Sequence, residues 1–297
     1  MSTGVPVDWT ELAPQLLDAA RHDRAWYLTL ARELVDPADR LAVDVGCGAG
    51  GMSLAIARMM TCGRVVAVDA SPAVLDTARD HIRTAWSDPR VRVEPVLVDI
   101  PADTAALRET LGGPADLVWA SAALHHVGDQ QAAVTALASL LDPGGRLALA
   151  EGGLPEQHLP WDVGLGEPGL EGRLNAAQDR WFARMRAELP DSRRMPYGWP
   201  EALRLAGLSP VTTRTTLDER PPPLDNAARK AVLADLTRRV GWLRPTGLVA
   251  TGDLDAWDRL LDRSGEHWLG HRNDLFRLSA RSVHLGVRPP GPSVNRW

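Results

Sequence analysis

A chain of 297 residues, 44% hydrophobic and 24% charged, has ordinary globular composition and enough length for one large α/β domain or a core with an insertion. Its formal net charge of −5, with only the short arginine pairs Arg193–Arg194 and Arg238–Arg239, excludes the basic face that nucleic-acid binding needs. Cys47 and Cys62 give no disulfide framework or metal spacing. The start MSTGVPVDWTEL is neither basic nor apolar, and no run reaches the ~18 apolar residues of a membrane span, so the expectation is a cytoplasmic protein.

The chain opens with two helical stripes over 8–35. Trp9, Leu12, Leu16, Leu17 and Ala20 form one, and Trp26, Tyr27, Leu30, Ala31 and Leu34 the other. Asp36-Pro37 stops the second, because a residue before proline is pushed out of the α region. The rhythm then changes to short apolar runs separated by helices. Strands are expected at 41–46, 64–69, 91–99, 116–120 and 146–151, with helices at 51–60, 72–85, 103–111 and 129–141. Ser71-Pro72 supplies a cap and a first helical residue. Pro95 within the third strand suits an edge or a bulge. Alternation of this kind means parallel βαβ units, and continuously apolar strands mean a sheet covered on both faces.

After 151 the alternation breaks. Loop signals fill LPEQHLPWDVGLGEPG, and Leu174, Ala177, Trp181, Met185 and Leu189 then share a helix face. A short helix at 199–208, a strand at 209–217, helical patterning over 225–275 and a last strand at 280–287 complete the expectation. The organisation reads as an N-terminal helical cap (1–39), a cofactor-binding core (40–151), an insertion or lid (152–200), and the rest of the core sheet with its own helical insertion (201–297).

The chemistry concentrates in VDVGCGAGG at 43–51. A glycine-rich turn between a strand and a helix lets a cofactor approach the backbone where a side chain would block it. Gly46, Gly48 and Gly51 satisfy the dinucleotide spacing, while Gly46, Gly48 and Gly50 satisfy a tighter one, so glycine spacing alone leaves the cofactor open. Asp44 discriminates. Two residues before the first glycine, its carboxylate disfavours a pyrophosphate and favours an ammonium or sulfonium, which points to S-adenosylmethionine rather than a nicotinamide.

With these residues the chain resembles the class I S-adenosylmethionine-dependent methyltransferases. The resemblance implies that Asp69, 23 residues after Gly46, accepts the ribose hydroxyls with Ala70 beside it. It implies that Asp99 bonds the adenine amino group, with Ile100 against the ring. The segment DLVWASAALHHVGD, including Ser121, resembles the one that runs beneath the methionine moiety, and LLDPGGRLALAE resembles the turn and strand that follow. Cys47 belongs to the cofactor turn by position and packs beneath it without a chemical role. The implied fold is a Rossmann-like three-layer α/β sandwich. Its seven-stranded sheet is mostly parallel with an antiparallel final strand, and helical cap insertions cover the carboxyl ends of the strands, where ligands of open sheets bind.

His125 and His126 follow the fourth strand, close to where the methyl group would lie, and an imidazole is suited to general-base work at neutral pH. Glu151, ending the fifth strand, is the rival base. Trp26, Tyr27, Trp161, Tyr197 and Trp199 are candidates for a substrate pocket in a chain with 11 Trp but two Tyr and two Phe. His125, His126 and Asp129 have a loosely ligand-like spacing, but Asp129 is better placed as a helix N-cap, so no metal is expected. The expected activity is methyl transfer to an oxygen, nitrogen or carbon nucleophile of a small molecule, in specialised metabolism by analogy. The alternatives are a nicotinamide oxidoreductase and a non-catalytic S-adenosylmethionine binder. No nucleic-acid or membrane partner is expected, and a homodimer stays open.

Overall fold

The computed structural model describes residues 9–290, with side chains from residue 15 onward. Residues 1–8, and the side chains of Trp9 and Leu12 in the first predicted stripe, lie outside the described residues. The elements run α1 (Trp9–His22), α2 (Arg24–Leu34), β1 (Leu41–Val45), α3 (Gly51–Met59), β2 (Gly63–Asp69), α4 (Pro72–Ala85), β3 (Val91–Leu97), α5 (Thr104–Leu111) and β4 (Ala115–Ser121). They continue with α6 (Gln130–Ala138), β5 (Leu141–Gln157), α7 (Leu170–Glu188), α8 (Trp199–Leu205), β6 (Val211–Arg220), α9 (Asn226–Leu243), α10 (Thr251–Leu261) and β7 (Arg277–Val287). No helix among the described residues is long and apolar enough to cross a membrane.

One seven-stranded sheet has the order β3-β2-β1-β4-β5-β7-β6. The first five strands pair in parallel. Strand β7 runs the other way: Gly144 N donates to Arg288 O, and Glu151 O accepts from His284, so numbers rise on β5 as they fall on β7. Ser209 N to Val287 O and Thr213 against His284 give the same sense for β6 and β7. The expected Rossmann-like sheet with an antiparallel edge is therefore the one formed. Pro95 sits on β3, the outermost strand, where a missing amide removes no ladder bond.

The strand order reverses between β1 and β4, and a ligand crevice opens at the carboxyl ends of strands at such a switch. The two sheet faces are covered by different helices. Val43, Val45, Val118, Ala120, Leu147 and Leu149 pack with residues of α5, α6 and α8. Ala42, Leu117, Trp119, Ala148 and Ala150 pack with residues of α2 and α3. Alternate residues of each strand thus face opposite layers, all apolar, which is why the strands read as unbroken hydrophobic runs.

The chain divides into two compact units. The first holds the described residues up to Glu151, then Pro190–Arg214, then those from Ser282; the second holds Gly152–Leu189 and Thr215–Arg281. Residues 190–200, grouped with the insertion on sequence grounds, fall in the first unit. The second unit has its own core, with Leu170, Leu174 and Ala177 of α7 against Leu236, Val240, Trp257 and Leu260 of α9 and α10. Strand β5 also corrects the sequence reading, since it runs to Gln157 where a loop was expected from 152. Gly153, at φ +122°, makes this possible: a Cβ there would meet Ala280 O at 1.9 Å, so only glycine lets the two backbones lie so close.

Trp119 is 1% exposed at the centre of one face. Trp119→Ala is expected to lower unfolding stability by about 3–5 kcal/mol, because transfer and cavity terms add; urea denaturation measures it.

Candidate active site

The turn after β1 has a shape that only its glycines permit. Gly46, Gly48 and Gly50 have φ of +65°, +53° and +75°. A Cβ on Gly46 would lie 2.5 Å from the Ala123 Cβ, so the turn after β4 presses directly on the turn after β1. A Cβ on Gly48 would meet nothing within 4 Å. The backbone there is open, as a cradle for a ligand should be. Gly51 serves packing instead, since its Cβ would come within 3.0 Å of Ala20 and Tyr27.

Two acids flank this turn. Asp44 is 2% exposed and accepts a hydrogen bond of 2.5 Å from Ser53 Oγ in the first turn of α3. Burial pushes its carboxyl up to about 6 against the opposing Ser53 bonds, and the Asp69 charge pushes the same way. Asp69, at the end of β2, accepts from Gly48 N at 3.3 Å and Ser71 N at 3.0 Å. Burial raises its pKa too, with the backbone donors of Ser71 and Gly48 opposing. Burial likewise pushes the Cys47 thiol up, beside both acids, so Cys47 stays a neutral packing residue against Leu54, Leu75 and Ile82. Ala70 and Asp99 are exposed, Ser121 is half-buried and Ile100 is buried. Asp99 lies two residues beyond the end of β3 rather than on it, and its amide bonds to Asp103.

The histidine turn follows β4. Ala122 takes a left-handed φ of +47°, a region alanine enters only when its surroundings enforce it. The next three residues all bond to one carboxylate. Glu151 Oε1 accepts from Ala123 N at 2.9 Å and Leu124 N at 2.8 Å, and Oε2 lies 2.8 Å from His125 Nδ1. Glu151 is 4% exposed. Both oxygens of Glu151, the rival base in the sequence, are thus occupied by donors that fix the turn. Since the Nδ1–H of His125 donates to the carboxylate, Nε2 is the basic nitrogen of the neutral ring. The His126 ring lies 4.2 Å from that of His125.

Sequence reasoning missed three supports. Ser53 holds Asp44. His284, buried, donates from Nε2 to Glu151 O and accepts at Nδ1 from Thr213, and burial lowers its pKa, keeping it neutral. Gly128 leaves no room for a Cβ, since Pro190 O would lie 2.0 Å away, and its carbonyl accepts from Arg193 N. Asp129 caps α6 through Ala132 N, as expected.

The candidate pocket aromatics of the first unit divide between the two sheet faces. Trp26 and Tyr27 pack with Trp119 on one sheet face, and Tyr197 and Trp199 pack on the other, with Tyr197 Oη donating to Gln131. Trp161 belongs to the second unit and is 75% exposed.

The methyltransferase domain family matches residues 43–147, which span both turns, Asp44, Asp69 and His125. This match supports a class I S-adenosylmethionine-dependent methyltransferase. Of the two cofactors that the glycine spacing leaves open, the match supports S-adenosylmethionine. A trans-aconitate 2-methyltransferase of Methylobacterium radiotolerans is 28% identical over 249 residues, which are 76% of this chain and 78% of that one. A ubiquinone biosynthesis O-methyltransferase of Xanthomonas axonopodis pv. citri is 36% identical over 116 residues, 39% of this chain and 44% of that one. The structure of Haemonchus contortus phosphoethanolamine N-methyltransferase 2 aligns with TM-score 0.47 and 14% identity, over 89% of this chain and 52% of that one.

In this methyltransferase the open backbone at Gly48 and the two raised acids beside it fit a cationic cofactor. Its ligand-free form carries the cost. Because the folded pKa of Asp44, about 6, exceeds the unfolded value of about 3.9, this acid favours folding when protonated. That contribution is full below about pH 4 and lost as pH rises through about 6. Relative to Asp44→Asn, the ligand-free protein should therefore lose about 2 kcal/mol between pH 4.5 and pH 8. Urea unfolding of both proteins at the two pH values measures it, and a constant difference would refute it.

Proposed function

We propose that this enzyme moves the methyl group of S-adenosylmethionine to an oxygen of a small-molecule acceptor, with His125 as the general base. The contact that carries this reading is the 2.8 Å bond between His125 Nδ1 and the buried Glu151. A carboxylate so placed holds the imidazole in one tautomer and steadies the charge it gains on taking a proton. The two relatives give support of a second kind, since the names of both describe transfer to small molecules and one names oxygen as the acceptor atom. A hydroxyl acceptor in specialised metabolism remains our reading of its class.

Bound S-adenosylmethionine would supply an electrophilic methyl on a sulfonium leaving group. Asp44 contributes negative charge for its cationic part, and Asp69 contributes acceptors for the ribose hydroxyls. The glycine turn keeps backbone and ligand in contact with no side chain between them. His125 Nε2 takes the acceptor proton, and Glu151 with His284 behind it keeps the ring in place. Asp99 and Ile100 would flank the adenine.

A second reading follows from the trans-aconitate relative. An acceptor carboxylate is already ionised near neutrality and needs no base, so His125 would then only orient it. The experiment is methyl transfer from labelled S-adenosylmethionine to parallel panels of hydroxylated aromatics and polycarboxylic acids, with wild type and His125→Ala. We expect label on a hydroxyl oxygen, lowered about 10²–10⁴-fold in His125→Ala with S-adenosylhomocysteine affinity unchanged. Label only on carboxylates, with His125→Ala near normal, favours the second reading; label on nitrogen or carbon overturns both. Asp69→Ala should weaken S-adenosylhomocysteine binding by about 1.5–3 kcal/mol, because charge-assisted bonds are lost. Calorimetry reads this directly, and an unchanged dissociation constant would leave Asp69 as a turn-former alone.

A further inference from the structure

The second unit contains a polar cluster that methyl transfer does not use. His158 lies just past the end of β5 and is 1% exposed, yet its Nδ1 has no hydrogen-bond partner among the described residues. Its Nε2 faces two carboxylates, Asp235 Oδ2 at 3.4 Å and Glu156 Oε2 at 3.5 Å. One ligand atom from each of the three residues lies within 4.8 Å of the others.

These distances discriminate between two explanations. A buried imidazolium bonded to carboxylates brings nitrogen and oxygen to about 2.7–2.9 Å. A tetrahedral ion with bonds of about 2.0–2.2 Å sets its ligand atoms about 3.3–3.6 Å apart. The two separations from His158 Nε2 fall in the second range, and the two carboxylate oxygens lie within 4.8 Å of each other.

The surroundings divide each carboxylate in the same way. Glu156 gives Oε1 to Arg277 at 2.5 Å and leaves Oε2 toward His158. Asp235 gives Oδ1 to Arg238 and leaves Oδ2 toward His158, with Arg239 Nη1 farther off at 3.7 Å. Glu171 Oε2 accepts from the amides of His158 and Leu159 at 2.8 and 2.9 Å, which fixes the backbone that carries the imidazole. Each carboxylate is thus oriented by an outer partner, as metal ligands are, while Glu171 holds the backbone of His158. The two carboxylates neutralise a divalent charge.

We propose that Glu156, His158 and Asp235 form a binding site for a divalent transition-metal ion of the zinc class, with a water in the fourth position. One imidazole and two carboxylates suit zinc. The ion would join the end of β5 to α9 and add to the stability of the second unit. The proposal does not depend on the acceptor or on His125.

The test is cobalt(II) titration of the chelator-treated full chain, followed by zinc competition. Wild type should bind one equivalent, show the visible bands of tetrahedral cobalt, lose them to zinc, and melt at a higher temperature with zinc than without. Glu156→Gln and Asp235→Asn should bind at least tenfold more weakly. Glu156 is the safer variant for folding, because a third of its side chain is exposed. Circular dichroism confirms that the variants are folded. The His125→Ala/His126→Ala double variant should take up cobalt normally, which separates this cluster from the histidine pair. No tight equivalent in wild type, or equal uptake by folded Glu156→Gln and Asp235→Asn, overturns the proposal and leaves His158 as a buried ion-pair residue.

Discussion

The candidate active site rests on the burial of one carboxylate. Glu151 is nearly closed to solvent, and a buried carboxylate is tolerated only when its oxygens are supplied with donors. The chain finds those donors in the turn after β4, two backbone amides and one imidazole. Satisfying the charge therefore requires the turn to take one shape, including the left-handed Ala122. The same shape drives Ala123 against Gly46 and joins the histidine turn to the glycine turn. Behind it, neutral His284 anchors the backbone of Glu151. The constraint is electrostatic, and its result is geometric.

Asp44 and Asp69 pose the opposite problem. Burial raises the pKa of both, so each is less content as an anion than it would be in water. Their donors, Ser53 for one and the amides of Gly48 and Ser71 for the other, offset only part of that cost. A site of this kind is poised for a positive ligand, which would relieve the strain that the empty protein carries. Affinity for a cation and stability without it pull against each other here.

Much of this was legible in the sequence, for identifiable reasons. Strands β1, β2 and β4 carry apolar residues on both faces because both faces are covered, so their runs are unmistakable, and the glycines and acids lie at fixed offsets from strand ends. Pro95 even placed its strand at the edge. Other features depend on partners distant in sequence. Nothing local says that Glu151 meets the amides of Ala123 and Leu124, or that His158 meets Asp235, 77 residues later. The continuation of β5 past Gly152 was hidden by glycines that look like a loop and in fact permit close strand contact. The aromatic residues were harder to place for a related reason: tryptophan serves a core as readily as a pocket, and only the packing distinguishes them.

The sheet order has a consequence for how the protein is made. Strand β7, the last element, lies between β5 and β6. While the ribosome is still working, β5 has β4 on one side and an unpaired edge on the other, and β6 has no neighbour at all. Exposed strand edges are templates for pairing with other chains. Synthesis must run through β7 before both are closed. A release before β7 would leave a nascent chain with its parallel half intact and a sticky flank. The risk of aggregation during synthesis thus depends on when β7 becomes available.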